Sequence, residues 1–220
     1  MLGTVYGVAL NYRARLAELA SVFGQPPHGA LPRTPVLFIK TPNTVVGPDA
    51  PVPCPADAAA IQPGPALGVF IAGRVHRLTL QDATRAIAGY AVVNELSVGE
   101  TSYFRPPIAS KCRDGFCAVG TATPPESVRD PHALGIRLYV NGALRQLGST
   151  ADFVHRIPEL LVFMTEFMTL RAGDLVITGT PPGRVNVGPG DALRVEIDGL
   201  GSLENKVVAD PSAGRGESRL

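Results

Sequence analysis

The sequence is poor in the features that mark several protein classes. It has no tryptophan and no excess of one charge, since 20 basic residues are balanced by 19 acidic ones and leave a net charge of +1. A balanced chain without runs of like charge is not expected to bind nucleic acid or an anionic membrane. No stretch reaches the roughly 18 to 20 apolar residues of a membrane-spanning helix, and the first residues lack the basic start of a signal peptide. We therefore expect a cytoplasmic protein with a small ligand.

Cysteine is also scarce, with Cys54, Cys112 and Cys117 in 220 residues. An odd number without a paired CxxC pattern favours neither a disulfide framework nor a zinc site, so we expect reduced thiols. Cys112 follows Lys111 and could be a nucleophile of lowered pKa. A buried inert thiol is the simpler interpretation, because no histidine lies near Cys112 in the sequence.

Glycine and proline, in contrast, are abundant, and their 24 and 21 residues separate short apolar runs. Such runs predict strands. They cover residues 5–10, 36–39, 67–72, 90–93, 136–140, 175–178 and 193–197. Asn141-Gly142 predicts a hairpin between residues 136–140 and 143–147, because both residues tolerate positive φ. The pattern predicts a mainly β fold with a few helices (α+β), with one domain over residues 1–208 and a disordered tail over 209–220.

Two segments have the pattern of helices. Thr79 resembles an N-cap for a short helix that runs to about Ile87. Residues 150–168 have apolar side chains at helical spacing, namely Leu160, Leu161, Phe163, Met164, Phe167 and Met168. We interpret this Met/Phe stripe as part of the core rather than as a cofactor site.

Two polar segments suggest a site for a small acid. Residues 111–116, KCRDGF, place two cations and a carboxylate close to a glycine, and residues 177–183, ITGTPPG, place two hydroxyls on a bent backbone. A lysine ammonium and threonine hydroxyls can stabilise and orient an anion. The alternative interpretation is a surface ion pair in the first segment and a strand-to-loop turn in the second.

Seven motifs occur in a fixed order along the chain. They are residues 8–12 (VALNY), 38–44 (FIKTPNT), 87–90 (IAGY), 103–106 (YFRP), 111–116 (KCRDGF), 167–170 (FMTL) with 173–174 (GD), and 178–181 (TGTP). With these motifs the sequence resembles the fumarylacetoacetate hydrolase family over roughly residues 3–208. Within that family it resembles the branch that decarboxylates and isomerises the dicarboxylic 2-oxo acids of 4-hydroxyphenylacetate degradation. The resemblance implies a β-sandwich roll with a few peripheral helices, usually assembled as dimers.

The resemblance also implies a divalent cation, Mg²⁺ or Mn²⁺, which neutralises charge on the keto oxygen of a 2-oxo acid. This chain departs from the family at the ligands, because two acidic positions are Gly64 and Ala66 and leave Glu95 alone. One carboxylate rarely holds Mg²⁺, so we do not expect this chain alone to bind the metal. A His–Glu acid/base pair of relatives is Arg15 and Glu18 here, and arginine does not release its proton near neutral pH.

Two hypotheses follow from the resemblance. In the first, the chain is an enzyme for a small dicarboxylic 2-oxo acid. Lys111 with Lys40 or Arg105 then binds the substrate carboxylates, Thr178 and Thr180 orient them, and Glu95 or Glu18 acts as the base.

In the second hypothesis, the chain is a non-catalytic subunit that supports a metal-binding paralogue. It would then correspond to a stand-alone first half of the fused, two-repeat members of the family. The expected assembly is a homodimer or a hetero-oligomer with a paralogous subunit. Another 2-oxo acid lyase or hydrolase activity of the family is a further alternative.

Overall fold

The computed structural model describes residues 2–26, 28–99 and 106–210. The strands are β1 Val5–Ala9, β2 Val36–Lys40, β3 Val45–Val46, β4 Pro51–Cys54, β5 Ile61–Gln62, β6 Pro65–Ile71, β7 Ile87–Glu95, β8 Ser97–Val98, β9 Cys117–Val119, β10 Gly135–Val140, β11 Ala143–Ser149, β12 Leu175–Ile177, β13 Ala192–Ile197 and β14 Gly201–Ala209. The α-helices are α1 Arg13–Phe23, α2 Leu80–Ala83, α3 Ile108–Lys111 and α4 Ile157–Phe167. Single 3₁₀ turns cover Pro42–Thr44, Thr84–Ala86, Pro125–Ser127 and Thr150–Asp152.

The strands form two main sheets and one small ribbon. The larger sheet has the order β2-β1-β12-β6-β7-β9-β3, the second has the order β11-β10-β13-β14-β4, and β5 pairs with β8. The mainly β fold with a few helices is therefore confirmed. Within the described ranges, no helix is long and apolar enough to cross a membrane.

The core lies between the two main sheets and under α4. Its fully buried members come from β6 (Leu67, Val69), β10 (Ile136, Leu138), β13 (Val195) and α4 (Leu160, Leu161, Met164). Alternate residues of each strand face this core, as expected for sheets that bury one face. The Met/Phe stripe of α4 is confirmed as core at Met164, whereas Phe167 is 60% exposed.

The local turn and cap predictions are confirmed. Asn141 and Gly142 have φ values of 51° and 80°, and they join β10 to β11 as a hairpin. The Thr79 side chain accepts a hydrogen bond from the Asp82 N–H at the start of α2. All three cysteines are unpaired, and Cys54 and Cys117 are buried.

The predicted helix over residues 150–168 begins too early. The structure has α4 at Ile157–Phe167, with Pro158 in its first turn. The preceding segment pairs with the chain after β1 instead, because Phe153 bridges Tyr12 and the Val154 N–H donates to the Asn11 carbonyl at 3.0 Å. A contact some 140 residues away in sequence thus prevents the helix from extending towards its N-terminus.

The elements that were not predicted from the sequence include α1, β4 and β14. The last two pair in parallel at the edge of the second sheet. Ala209, placed in the predicted tail, is the last residue of β14. Asp210 follows it and donates its N–H to the Cys54 carbonyl at 3.2 Å, whereas residues 211–220 lie outside the described residues.

Candidate functional site

A cavity of about 450 Å³ opens at the ends of inner strands of the larger sheet. Strands β1 and β12 run parallel, so their carboxyl ends meet at the cavity and place Ala9, Leu10 and Thr180 in its wall. Leu10 has a φ of 60°, a conformation that costs energy for a residue with a side chain. The chain therefore turns sharply at the cavity rather than continuing β1.

Asn11 fixes the two strand ends relative to each other. Its Nδ2 donates to the carbonyls of Thr178 at 2.9 Å and His155 at 3.1 Å, and its Oδ1 accepts from the His155 N–H at 2.8 Å. Gly179 has a φ of 113°, and a Cβ there would lie 3.1 Å from Asn11 Cβ. The backbone at the cavity edge is thus rigidly placed, and Gly179 is required by both conformation and space.

Glu95, at the end of β7, is the centre of the cavity floor. Its side chain is 2% exposed and is surrounded by three cations. Lys40 Nζ lies 2.8 Å from Oε1, Lys111 Nζ lies 3.1 Å from Oε2, and Arg184 Nη2 lies 2.7 Å from Oε2. Burial alone would raise the pKa of Glu95, but Lys111, Lys40 and Arg184 outweigh it and hold this pKa well below its usual range.

Lys40 supports Glu95 from inside the protein. Its side chain is fully buried, and its Nζ donates to the carbonyls of Leu96 at 2.6 Å, Lys111 at 2.7 Å and Phe116 at 2.9 Å. Burial lowers the pKa of Lys40, and Glu95 partly offsets this effect. Because an ammonium has three N–H groups and these acceptors lie around it, Lys40 is directed into the protein and does not line the cavity.

Two of the cations reach the cavity itself. Lys111, at the end of α3, is 5% exposed in its side chain and stands 4.6 Å from the centre of the Phe38 ring. Arg184 is 24% exposed, and its Nη1 donates to Ser97 Oγ at 2.7 Å while Nη2 approaches Thr180 Oγ1 at 3.3 Å. The buried carboxylate of Glu95 is therefore flanked by two cationic side chains in the cavity wall.

The mouth of the cavity has its own ion pair. Arg15 Nη1 and Glu18 Oε2, one turn apart on α1, are 2.7 Å apart, and their side chains are 37% and 49% exposed. Both residues line the cavity. Exposed pairs of this kind contribute little to stability in water.

The structure brings four of the predicted site residues to the cavity. Lys111, Glu95, Glu18 and Thr180 line it. Lys111 pairs with Glu95, so it is not the surface ion pair that the sequence also allowed.

Two other predicted substrate contacts do not reach the cavity, and a third is undescribed. Lys40 is buried behind Glu95, and the hydroxyl of the fully buried Thr178 donates to the Leu67 carbonyl at 2.9 Å. Both side chains therefore hold the backbone and Glu95 behind the cavity and do not face a ligand. Arg105 lies outside the described residues.

Arg184 is the functional candidate that the sequence reasoning missed. A signal was present, since Arg184 is the single charged residue between positions 177 and 187 and directly follows the ITGTPPG segment. Its contact with Glu95 spans 89 residues, which no local pattern indicates.

The donor set at this position does not fit Mg²⁺ or Mn²⁺. Gly64 has no side chain, and Ala66 is fully buried in an apolar cluster. Both oxygens of Glu95 contact cationic side chains. Among the described residues, no group of three or more His, Cys, Asp or Glu side chains is placed to hold a metal ion. Hard cations of this kind require several oxygen ligands, which these residues do not supply.

Comparison of the sequence with protein-family models and curated proteins assigns the chain to a family. The chain matches the fumarylacetoacetate (FAA) hydrolase C-terminal family over residues 4–208. It is 39% identical over 218 residues to the 4-hydroxyphenylacetate degradation bifunctional isomerase/decarboxylase of Salmonella dublin, covering 99% of this chain and 50% of that protein. The chain therefore spans about half the length of this curated relative.

Solved structures agree with this assignment. The 2-hydroxyhepta-2,4-diene-1,7-dioate isomerase from Mycobacterium marinum superimposes with a TM-score of 0.82 at 29% identity, over 96% of this chain and 76% of that one. The maleylpyruvate hydrolase from Sphingobium sp. SYK-6, in complex with manganese(II) and pyruvate, gives 0.79 at 29% identity, over 94% and 70%.

Proposed function

This chain belongs to the fumarylacetoacetate hydrolase family, and from that premise we propose that it is a subunit of a decarboxylase/isomerase of 4-hydroxyphenylacetate degradation. The substrates would be 5-carboxymethyl-2-oxo-hex-3-ene-1,7-dioate for decarboxylation and 2-hydroxyhepta-2,4-diene-1,7-dioate for isomerisation. Support comes from the 39% identity to the bifunctional relative over 99% of this chain. Because the match covers half of that relative, we propose that the chain corresponds to one half, the first, of a fused two-repeat member.

The proposal that this chain is one subunit rather than the complete enzyme is supported by the ion pairs of Glu95 with three cationic side chains. A general base must accept a proton, and a carboxylate with a lowered pKa and three cationic partners is a poor acceptor. Glu95 is therefore assigned to holding Lys111 and Arg184 in place rather than to proton transfer. Glu18, at the open mouth, is the remaining predicted base that a substrate could reach.

We propose that a ligand-complete paralogous subunit supplies the metal and the main proton transfer. The cavity of the present chain then binds the dicarboxylate or stabilises the assembly, and its volume of about 450 Å³ lies in the range of small-molecule sites. A purely non-catalytic supporting role is the second candidate, favoured by the same engagement of Glu95. Another 2-oxo acid activity of the family is the third, since the similar maleylpyruvate hydrolase was solved with pyruvate.

Reconstitution tests this proposal. We expect the purified chain to turn over neither dioate at a substantial rate, and the mixture with the paralogue from the same genome to decarboxylate and isomerise. The measurement is the ultraviolet absorbance of the conjugated dienes, together with the mass of the complex. Full activity of the isolated chain, or no complex and no gain on mixing, would contradict the proposal. Glu18→Gln in the mixture separates the two roles, because a purely supporting subunit loses no activity on this change.

A further inference from the structure

Three cationic side chains converge on the carboxylate of Glu95. Lys40, Lys111 and Arg184 each place a nitrogen within 3.1 Å of one of its oxygens, in a partly water-excluded site. Buried charge is costly unless an opposite charge compensates it. Lys40 is directed into the protein, whereas Lys111 and Arg184 line the cavity. Two cationic side chains that contact Glu95 therefore face the space in which a ligand would sit.

Arg184 is held in place before any ligand arrives. The loop that carries it is anchored on one side by Gln146 of β11, whose Nε2 donates to the Pro181 and Pro182 carbonyls at 2.7 and 3.0 Å. On the other side, Val187 pairs with Ile61 through two backbone hydrogen bonds. A guanidinium fixed in this way loses little conformational freedom on binding an anion, which increases affinity.

The guanidinium occupies space that a side chain at position 64 would need. A Cβ on Gly64 would lie 2.9 Å from Arg184 Nη2 and 2.8 Å from Thr180 Oγ1, and it would collide with the Glu95 carbonyl oxygen. Position 64 is one of the two at which the family resemblance implies an acidic ligand. In this chain a planar organic cation therefore lies where the resemblance implies a ligand of an inorganic cation.

We propose that Arg184 and Lys111 directly bind the carboxylate end of a 2-oxo acid, so that this cavity takes an oxo acid anion without a divalent cation. Arginine presents a planar set of N–H donors that matches a carboxylate, and lysine adds a compact charge beside it. The inference rests on the proposed function only in taking a 2-oxo acid as the ligand. It does not depend on the paralogue, because the site is built within one chain.

The test is calorimetric titration of the full chain with oxalate, a planar dianion with the adjacent oxygens of a 2-oxo acid. We expect the same affinity in EDTA and in Mg²⁺. Arg184→Gln should weaken binding about 10-fold or more, the loss that corresponds to one hydrogen bond to a charged group. Arg184→Lys, which keeps the charge and is the safer variant for folding, should weaken binding less than Arg184→Gln.

Arg137→Gln is the matched control, because Arg137 also pairs with a carboxylate, Asp198 at 2.6 Å, but does not line the cavity. It should bind oxalate as the unmodified chain does, with circular dichroism to verify folding of each variant. Binding that requires Mg²⁺, an unchanged affinity in both Arg184 variants, or no binding in either buffer would each overturn the inference. None of these three results would change the outcome of the reconstitution experiment with the paralogue. Failure of this inference can therefore be distinguished from failure of the proposed function.

Discussion

At the scale of single residues, Glu95 determines what this site can do. In a site built for metal chemistry, a buried carboxylate presents its oxygens to the ion. Here those oxygens face Lys40, Lys111 and Arg184 at 2.7 to 3.1 Å. Glu95 thus serves as the counter-ion of three cationic side chains.

Glu95→Gln should destabilise the protein by about 3 to 5 kcal/mol at neutral pH, because it leaves three buried or half-buried cations without their counter-ion. The difference should shrink in acid. Since the pKa of Glu95 is lowered in the folded state, the unfolded chain takes up a proton first as the pH falls. The stabilisation is therefore complete above the ordinary glutamate pKa of roughly 4.3 and is lost progressively below it.

Urea denaturation from neutral pH down to about pH 3 would measure this effect. Glu166→Gln, an exposed position on α4, is the control for the loss of one negative charge, and its effect should be small throughout. A difference between the unmodified chain and Glu95→Gln that stays constant down to pH 3 would show that the pKa of Glu95 is not lowered.

The sequence indicated Lys111, Glu95, Glu18 and Thr180 as site residues, and the structure places all four at the cavity. Lys111 and Thr180 belong to the two polar segments, whereas Glu95 and Glu18 were indicated by the family resemblance alone. The directions of Lys40 and Thr178 were not predictable in this way. They depend on which backbone carbonyls approach from distant strands, as the bonds from Lys40 to Leu96 and Phe116 show.

At the scale of elements, apolar runs and turn residues were reliable guides. The seven predicted runs all fall on strands, and the Asn141-Gly142 hairpin has the expected positive φ values. The predicted start of the helix at residue 150 was wrong. Val154 and His155 form hydrogen bonds with Asn11 instead, and α4 begins at Ile157. β14 was missed because its alternation of Glu204, Lys206 and buried Leu203 and Val207 has no continuous apolar run.

Gly64 lies where the start of β6 pairs with the end of β7, and this position leaves no space for a side chain. The Glu95 N–H donates to the Gly64 carbonyl at 2.7 Å, and a Cβ at position 64 would collide with the Glu95 carbonyl oxygen. Gly64→Ala should therefore lower the free energy of unfolding by about 1 to 3 kcal/mol, the usual cost of overpacking. The measurement is the urea midpoint at constant m-value.

Gly73→Ala is the control for this substitution, because a Cβ at position 73 meets no atom within 4 Å and the backbone there is not left-handed. We expect it to be neutral or slightly stabilising, since alanine restricts the unfolded chain. Equal stability of the two variants would show that the backbone at Gly64 can move apart and accommodate a side chain.

At the scale of the whole molecule, the chain has a family fold whose charged cavity lacks the ligand set that the resemblance implies. The match covers residues 4–208 of this chain and 50% of the Salmonella dublin relative. The proposed function requires that a separate chain correspond to the other half of that relative. The fold constrains where the cavity lies, whereas the proposed ligand depends on a few residues, above all Gly64 and Arg184.

The most direct test of the account is a titration of the purified full chain with Mn²⁺, followed by electron paramagnetic resonance. Because both Glu95 oxygens contact cationic side chains and position 64 has no donor, we predict that the chain holds no stoichiometric Mn²⁺. One tightly bound Mn²⁺ per chain, lost in Glu95→Gln, would contradict the account.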